Sequence, residues 1–323
     1  MPKAPKGIDA KLAALSALRS RASLDAADLA LVVAALDSEI GVLVSSAVGL
    51  VKQFELTDLY PRLAPAFTRL CPDGPKRDPL CRAKFAIAEL LHDLERWEDE
   101  VFPVGVRLVQ NEPAYPLPLD AAGPLRGICG IAYAHFSIPE ALDVLAELLA
   151  DPLAAARQGA AQGLADSRRT GATAVLRLKL ALGDRDPDVL SACAGALLDL
   201  AGDDGLASCE RLLGEHDQRA EVVALAIGSS RLPAAVPILR RWAEAAGGPQ
   251  RTRVGFLALA LLRVDESTDY LFERVADASP AEAIAAAKAL ATFKADPALA
   301  ARLREAAAPR DKATWAAIVN LLS

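Results

Sequence analysis

Apolar residues recur at helical spacing along most of this chain. From about residue 125 onward, amphipathic segments alternate with short turns that contain Asp, Pro or Gly. Apolar side chains three and four positions apart share one face of a helix, so each segment predicts a helix with one buried face. A first, amphipathic type of helix alternates with a second type that is rich in Ala and Gly. The pattern therefore predicts a series of helical hairpins.

The predicted first helices span residues 138–150, 172–183, 204–213, 233–246 and 267–277. The predicted second helices span residues 153–165, 187–201, 218–229, 250–263 and 280–293. An apolar residue closes the small-residue run of each second helix, and these residues are Tyr133, Leu164, Leu197, Ile227, Leu261 and Leu290. They recur at a period of roughly 30 to 34 residues, which corresponds to one hairpin per repeat.

The hairpin pattern is looser over residues 1–124. There we expect second helices over 40–51 and 80–94, with first helices over 24–36, 56–70 and 98–110. Terminal repeats need a polar outer face, so residues 10–20 with 24–35, and residues 298–308 with 312–322, are expected to form capping hairpins. Trp315 is expected to pack inward. We predict a single array over 1–323, regular over 125–293 and capped by 294–323.

Small residues in the second helices carry a family resemblance. Asp186-Pro187-Asp188-Val189, followed by Ala192, Ala194, Ala196 and Leu197, resembles the HEAT signature, although Leu190 stands where that signature has Arg. Arg126 and Arg157 restore this Arg in two other repeats. The repeats are most similar to the short HEAT-like repeats of phycobiliprotein lyases. The resemblance implies an all-α, right-handed superhelix of the HEAT/armadillo solenoid type, and it implies no chemistry of its own.

Composition narrows the possible classes of protein. The hydrophobic fraction of 53% predicts a large buried core and argues against disorder. A net charge of −6 does not favour non-specific binding to nucleic acid or to an anionic membrane. The polar start at residues 1–7 and the absence of a long apolar run predict neither a secretory signal nor a membrane span. We expect a cytoplasmic protein.

The sequence offers little that points to catalysis. Its three histidines, at 92, 135 and 216, are far apart in sequence, and its five cysteines show no Cys-x-x-Cys pair. Glycines at 127, 130, 159 and 163 fall within second helices, where close helix packing explains them better than cofactor binding. We therefore predict no metal, no cofactor and no enzymatic activity.

A proline-rich loop over residues 110–124 is the longest predicted connection. Long ordered loops are often functional, so Glu112, Tyr115 and Asp120, with the help of Arg126, are candidates for contact with a partner. Alternatively, the loop is a spacer between imperfect repeats.

Basic residues recur near the starts of second helices, at Arg82, Arg126, Arg157, Arg219 and Arg253. Stacked along one face, they could bind carboxylates or phosphates, which makes Arg126, Arg157 and Arg253 candidate binding residues. The alternative is an internal ladder in which each Arg pairs with a carboxylate of a turn, such as Asp151, Asp184, Asp186 or Asp217.

These observations favour a scaffold that holds a protein partner on a concave surface formed by second helices. A nucleic-acid-binding protein is one alternative, and a lyase-like or glycosylase-like enzyme on the same scaffold is another. The sequence leaves the identity of the partner and the oligomeric state open.

Overall fold

The computed structural model describes residues 7–214, 218–245 and 247–322. His216, Asp217 and most of the polar start of the chain lie outside the described residues. Within the described ranges the chain is almost entirely helical, and its two strands have two residues each. Residue contacts divide the chain into two compact units, of which the first ends at Ser167 and the second begins at Arg168. The prediction of a single continuous array stays a prediction.

The first unit contains ten described α-helices and one small hairpin. The helices are α1 Ile8–Leu18, α2 Ala26–Leu36, α3 Gly41–Gln53, α4 Leu63–Leu70, α5 Gly74–Arg77, α6 Arg82–Asp93, α7 Phe102–Gly105, α8 Gly123–His135, α9 Ala141–Leu148 and α10 Ala154–Ser167. The strands are β1 Asn111–Glu112 and β2 Leu119–Asp120, which pair antiparallel. Short 3-10 helices span Thr57–Arg62 and Pro79–Cys81.

The second unit contains ten more described α-helices. They are α11 Ala172–Leu182, α12 Pro187–Ala201, α13 Asp203–Leu212, α14 Gln218–Ser229, α15 Val236–Glu244, α16 Gly248–Leu262, α17 Asp265–Asp277, α18 Pro280–Ala291, α19 Pro297–Ala307 and α20 Lys312–Val319. Short 3-10 helices span Pro233–Ala235 and Asn320–Leu322.

Neighbouring helices pack in chain order within each unit. In the first unit α3, α6, α8 and α10 lie side by side, and α2, α4, α7 and α9 pack against them. In the second unit α12, α14, α16, α18 and α20 lie side by side in the same way, each packed against the helix that precedes it. The all-helical prediction is thus confirmed, as is the pairing of first and second helices.

Helix ends agree best with the predictions where the chain carries strong capping residues. Helix α12 spans the predicted range because Asp186 accepts a hydrogen bond from the backbone N–H of Asp188, and Pro187 occupies the first helical position. Gly202 ends the same helix with a φ of +53°, a conformation that residues with a Cβ rarely adopt. An N-cap side chain followed by proline likewise places the starts of α18 and α19.

Two expectations about helices and side chains are wrong. The helix predicted over residues 98–110 is only the four-residue α7. Pro103 explains why this helix begins no earlier than Phe102, because proline lacks an N–H and its ring would clash with the carbonyl four residues earlier. Trp315, expected to pack inward, is 42% exposed on α20.

Two glycines allow the closest contact between second helices in the first unit. A Cβ added to Gly159 of α10 would lie 2.5 Å from the Cα of Gly127 in α8 and 2.8 Å from its carbonyl oxygen. Backbone atoms cannot give way as a flexible side chain would. The prediction that glycines serve close helix packing is confirmed at this contact.

We expect Gly159→Ala to lower the free energy of unfolding by about 1–3 kcal/mol, because α8 and α10 must separate to admit a methyl group. Gly195→Ala on α12 is the matched control. Nothing lies within 4 Å of the Cβ it would add, so the better helix propensity of alanine should stabilise the protein by about 0.5–1 kcal/mol. Urea unfolding followed by circular dichroism measures both values. Equal effects of the two substitutions would contradict the close-contact explanation.

Candidate functional site

A buried ionic cluster lies beneath the proline-rich loop of the first unit. The Nε atom of Arg126 donates to Asp151 Oδ2 at 2.7 Å, and its Nη2 atom donates to Asp151 Oδ1 at 2.9 Å. The Nη1 atom lies 2.8 Å from Asp120 Oδ2 and donates to the carbonyl of Leu108 at 2.7 Å. Arg126 is only 4% exposed. We call Arg126, Asp120 and Asp151 the Arg126 cluster.

The Arg126 cluster joins three parts of the first unit. Arg126 belongs to α8, Asp120 to β2, and Asp151 to the turn between α9 and α10. Both carboxylates also accept backbone hydrogen bonds: Asp151 from Leu153 at 2.8 Å, and Asp120 from Ala122 at 3.0 Å. A buried charge is stable only when it is paired and hydrogen-bonded in this way.

Arg157 occupies the corresponding place on α10 and is also buried. Its Nη1 atom donates to the carbonyls of Asp151 and Pro152 at 2.8 and 3.0 Å. The internal-ladder interpretation is therefore confirmed for the pair Arg126 and Asp151. Both arginines lie inside the protein, and neither is placed to meet a partner directly.

Of the carboxylates that the ladder interpretation named in the second unit, Asp217 lies outside the described residues, and the other two have the following contacts. Asp184 forms an ion pair with Lys179 at 2.7 Å, and Asp186 caps α12. Arg219 and Arg253 are exposed, as is Arg82 in the first unit. The five arginines of the predicted row thus differ in burial and do not share one kind of environment.

Lys84 is a member of the ladder that sequence reasoning missed. Its Nζ atom lies 3.0 Å from Asp78 Oδ2 and 3.3 Å from the carbonyl of Leu70, and both ionic side chains are fully buried. The sequence contains a spacing that could have identified Lys84 as a buried basic residue. Lys84 precedes Leu91 by seven residues, as Arg126 precedes Tyr133 and Arg157 precedes Leu164.

The proline-rich loop is a hairpin with a fixed base and an exposed tip. At the base, Glu112 accepts hydrogen bonds from the backbone N–H of Leu80 and, at 2.8 Å, from Gln110 Nε2. Gln110 Nε2 also donates to the carbonyl of Asp78 at 2.8 Å. At the tip, Tyr115 is 99% exposed and Leu117 is 75% exposed. Of the candidate residues in this loop, only Tyr115 is therefore placed to touch a partner.

Two open grooves flank the hairpin. One, of about 580 Å³, lies beside the Arg126 cluster and is lined by Val106, Arg107, Val109, Val144 and Leu148 among others. The other, of about 380 Å³, lies between α3, α6 and α8 and is lined by Leu80, Arg82, Phe85, Pro124 and Leu125 among others.

Arg253 lies in the second unit, whereas the other candidate residues lie in the first. It donates to Gln250 Oε1 at 2.7 Å and lines a groove of about 400 Å³ between α16 and α18. Lys288 lines the same groove.

Protonation in the Arg126 cluster follows from its hydrogen bonds. Burial alone would raise the pKa of Asp120, but the N–H groups of Ala122 and Gln110, together with Arg126, bring that pKa below its ordinary value. Burial likewise opposes the charge on Arg126, but Asp151 and Asp120 hold its pKa above the ordinary value. These groups stay ionised at neutral pH and are unsuited to proton transfer.

The cysteines are poor nucleophiles. Burial raises the pKa of Cys81 and of Cys209 to about 12, and it also raises the pKa of Cys71 and Cys129. Since the thiolate is the reactive form, these thiols have little reactivity at neutral pH. Small apolar neighbours at helical spacing predict that Cys129, Cys193 and Cys209 are core residues, and all three are buried.

Two histidines that are distant in sequence come together at the ends of α6 and α8. The ring centroids of His92 and His135 are 4.9 Å apart. Trp97 stacks on Phe102 and contacts Tyr133 and Phe136 edge-on. Among the described residues, no group of three or more His, Cys, Asp or Glu side chains could hold a metal ion.

Comparisons of the sequence with protein-family models and with curated proteins give no match. No described helix has both the length and the apolar character needed to cross a bilayer. The contacts described above are thus the basis for assigning a function.

We expect Arg126→Ala to lower the free energy of unfolding by about 3–5 kcal/mol, because Asp120 and Asp151, which are largely shielded from water, would lose their counter-charge. Arg241→Ala is the control, since its ion pair with Glu210 at 2.7 Å is exposed and should contribute no more than about 1 kcal/mol. Urea unfolding measures both. A similar small loss for the two variants would show that the buried cluster is energetically unimportant.

We also expect Asp120→Asn to flatten the dependence of stability on pH in acid. A carboxylate whose pKa is lower in the folded protein stabilises the fold above its unfolded pKa of about 3.9, and this contribution is lost as the pH falls through the folded value. The wild type should therefore lose stability more steeply than the variant below about pH 4. Asp199→Asn, at an exposed ion pair with Arg168, is the control. Parallel curves for wild type and Asp120→Asn would refute this role of Asp120.

Proposed function

We propose that this chain is a non-enzymatic scaffold that binds a protein partner. We further propose that its hairpins form HEAT-like repeats in a right-handed solenoid, with the second helices lining a concave surface. The side-by-side packing of second helices within each unit supports this, because such packing presents one extended face.

The exposed apolar tip of the hairpin is the observation that carries the proposal. Tyr115 and Leu117 are held in water on a hairpin whose base is fixed by Glu112, Gln110 and the Arg126 cluster. Val109 and Leu119, near the base, are exposed as well. Exposed apolar patches with polar surroundings are typical of protein-binding surfaces, and a rigid base lowers the entropic cost of binding.

The other functions considered receive less support from the described contacts. A nucleic-acid-binding surface would need a solvent-facing row of arginines, and Arg126 and Arg157 are buried. A lyase-like or glycosylase-like enzyme would need groups that titrate near neutral pH, whereas the lowered pKa of Asp120 and the raised pKa of Arg126 keep both groups charged.

Affinity capture from a lysate of the source organism, followed by mass spectrometry, tests the proposal. Tyr115→Ser combined with Leu117→Ser should reduce capture of the partner by about tenfold or more, because an aromatic side chain at the centre of an interface contributes about 2 kcal/mol. Leu178→Ser combined with Leu182→Ser is the matched control, since both leucines are exposed on α11 of the second unit, whereas the hairpin belongs to the first.

Capture that is lost with the hairpin variant and kept with the α11 variant supports the scaffold and locates its surface. If all three proteins capture the same set, or none captures anything, the hairpin is not the binding surface and the proposal fails.

A further inference from the structure

The turn before α6 has an unfavourable backbone conformation at two successive residues. Leu80 has a φ of +63° and Cys81 a φ of +53°, and neither is a glycine. Side chains with a Cβ rarely occupy this left-handed region, and such conformations persist only when surrounding contacts enforce them. In this conformation the side chain of Leu80 is 44% exposed.

Hydrogen bonds enforce this turn from both sides, and those to Asp78 are buried. The carboxylate of Asp78 accepts from the backbone N–H groups of Ala83 and Lys84 at 2.9 and 3.0 Å and pairs with the Lys84 ammonium. On the other side, Glu112 accepts from the N–H of Leu80. These hydrogen bonds therefore keep the side chain of Leu80 at the surface of the unit.

Leu80 stands at the edge of the 380 Å³ groove, which is otherwise mostly apolar. Phe85, Pro124 and Leu125 form part of its lining. Among the described residues that line the groove, Arg82 is the single charged side chain. Arg82 is exposed, and it has no hydrogen-bond or ion-pair partner in the described part of the chain.

We propose that this groove binds a peptide segment of the partner in which a large aliphatic or aromatic side chain lies next to an Asp or Glu. The apolar side chain would pack between Leu80 and Phe85, and the carboxylate would pair with Arg82. The inference rests on the proposed function, because it names the chemistry of the partner that the scaffold holds.

The requirement for an acidic residue follows from the position of Arg82. Any apolar side chain that fills the groove removes water from the neighbouring guanidinium. A charge that loses water must gain a partner, and the guanidinium forms its strongest hydrogen bonds with a carboxylate. The volume of about 380 Å³ is at the small end of ligand-binding clefts, so it suits the one or two side chains that a short peptide segment would insert.

Selection from a displayed library of random 12-residue peptides against the full chain tests this inference. We expect the selected peptides to share an acidic residue within two positions of a large apolar one. A synthetic peptide with that consensus is then titrated by fluorescence anisotropy against wild type and variants.

Arg82→Glu should weaken binding of this peptide at least tenfold and should improve binding of the same peptide with Lys in place of its acidic residue. Glu at the first position of α6 is favourable for the helix, so this variant should fold. Leu80→Asn should also weaken binding at least tenfold, and Asn tolerates the left-handed backbone well. Arg253→Glu, in the groove of the second unit, should change binding less than twofold.

No shared consensus, a consensus without an acidic residue, or equal binding by wild type and the two groove variants would overturn the inference. So would a loss of binding with Arg253→Glu as large as that with Arg82→Glu. If the library fails while the hairpin variant still loses a captured partner, the inference about this groove fails and the proposed scaffold function stands.

Discussion

A guanidinium removed from water has to find partners for its N–H groups, and Arg126 finds them on three different parts of the first unit. Its bonds to Asp151, to Asp120 and to the carbonyl of Leu108 tie α8 to the turn before α10, to the hairpin and to the segment after α7. Each of these parts could move alone only by leaving a charge or a carbonyl unpaired. The conformation of the loop therefore depends on this one buried cation.

The same constraint separates the interior from the binding surface that we propose. The buried cations Lys84 and Arg126 are paired with carboxylates and are not exposed to a ligand. The surface that we propose for a partner consists of the exposed apolar tip at Tyr115 and the groove edged by Leu80 and Arg82. Rigid support beneath exposed apolar groups favours recognition, whereas catalysis would require groups whose protonation changes.

The helices could be predicted from sequence because their signals are local. Asp186, Pro187 and Gly202 define α12 without reference to any distant residue, and the small residues of α8 and α10 indicate close packing. Contacts between residues that are distant in sequence could not be predicted in this way. Nothing in the spacing of Glu112 reveals that its carboxylate turns back to Leu80, because that contact depends on how the hairpin lies against α6. The partial burial of Asp120 beside Arg126 could not be predicted for the same reason.

Register along a second helix decides what a basic residue does. Lys84, Arg126 and Arg157 each precede the closing apolar residue of their helix by seven positions, which is close to two full turns, so they share its buried face. The residue seven positions before the closing residue is also buried in three helices of the second unit. These residues are Leu190, before Leu197, Ala220, before Ile227, and Ala283, before Leu290. Three other basic residues are exposed, and each lies at a distance other than seven positions from the closing apolar residue of its helix. That distance is eight positions for Arg219 and Arg253 and nine for Arg82. A rotation of about 200° between Arg82 and Lys84 thus places one cation in the groove and the other in the core.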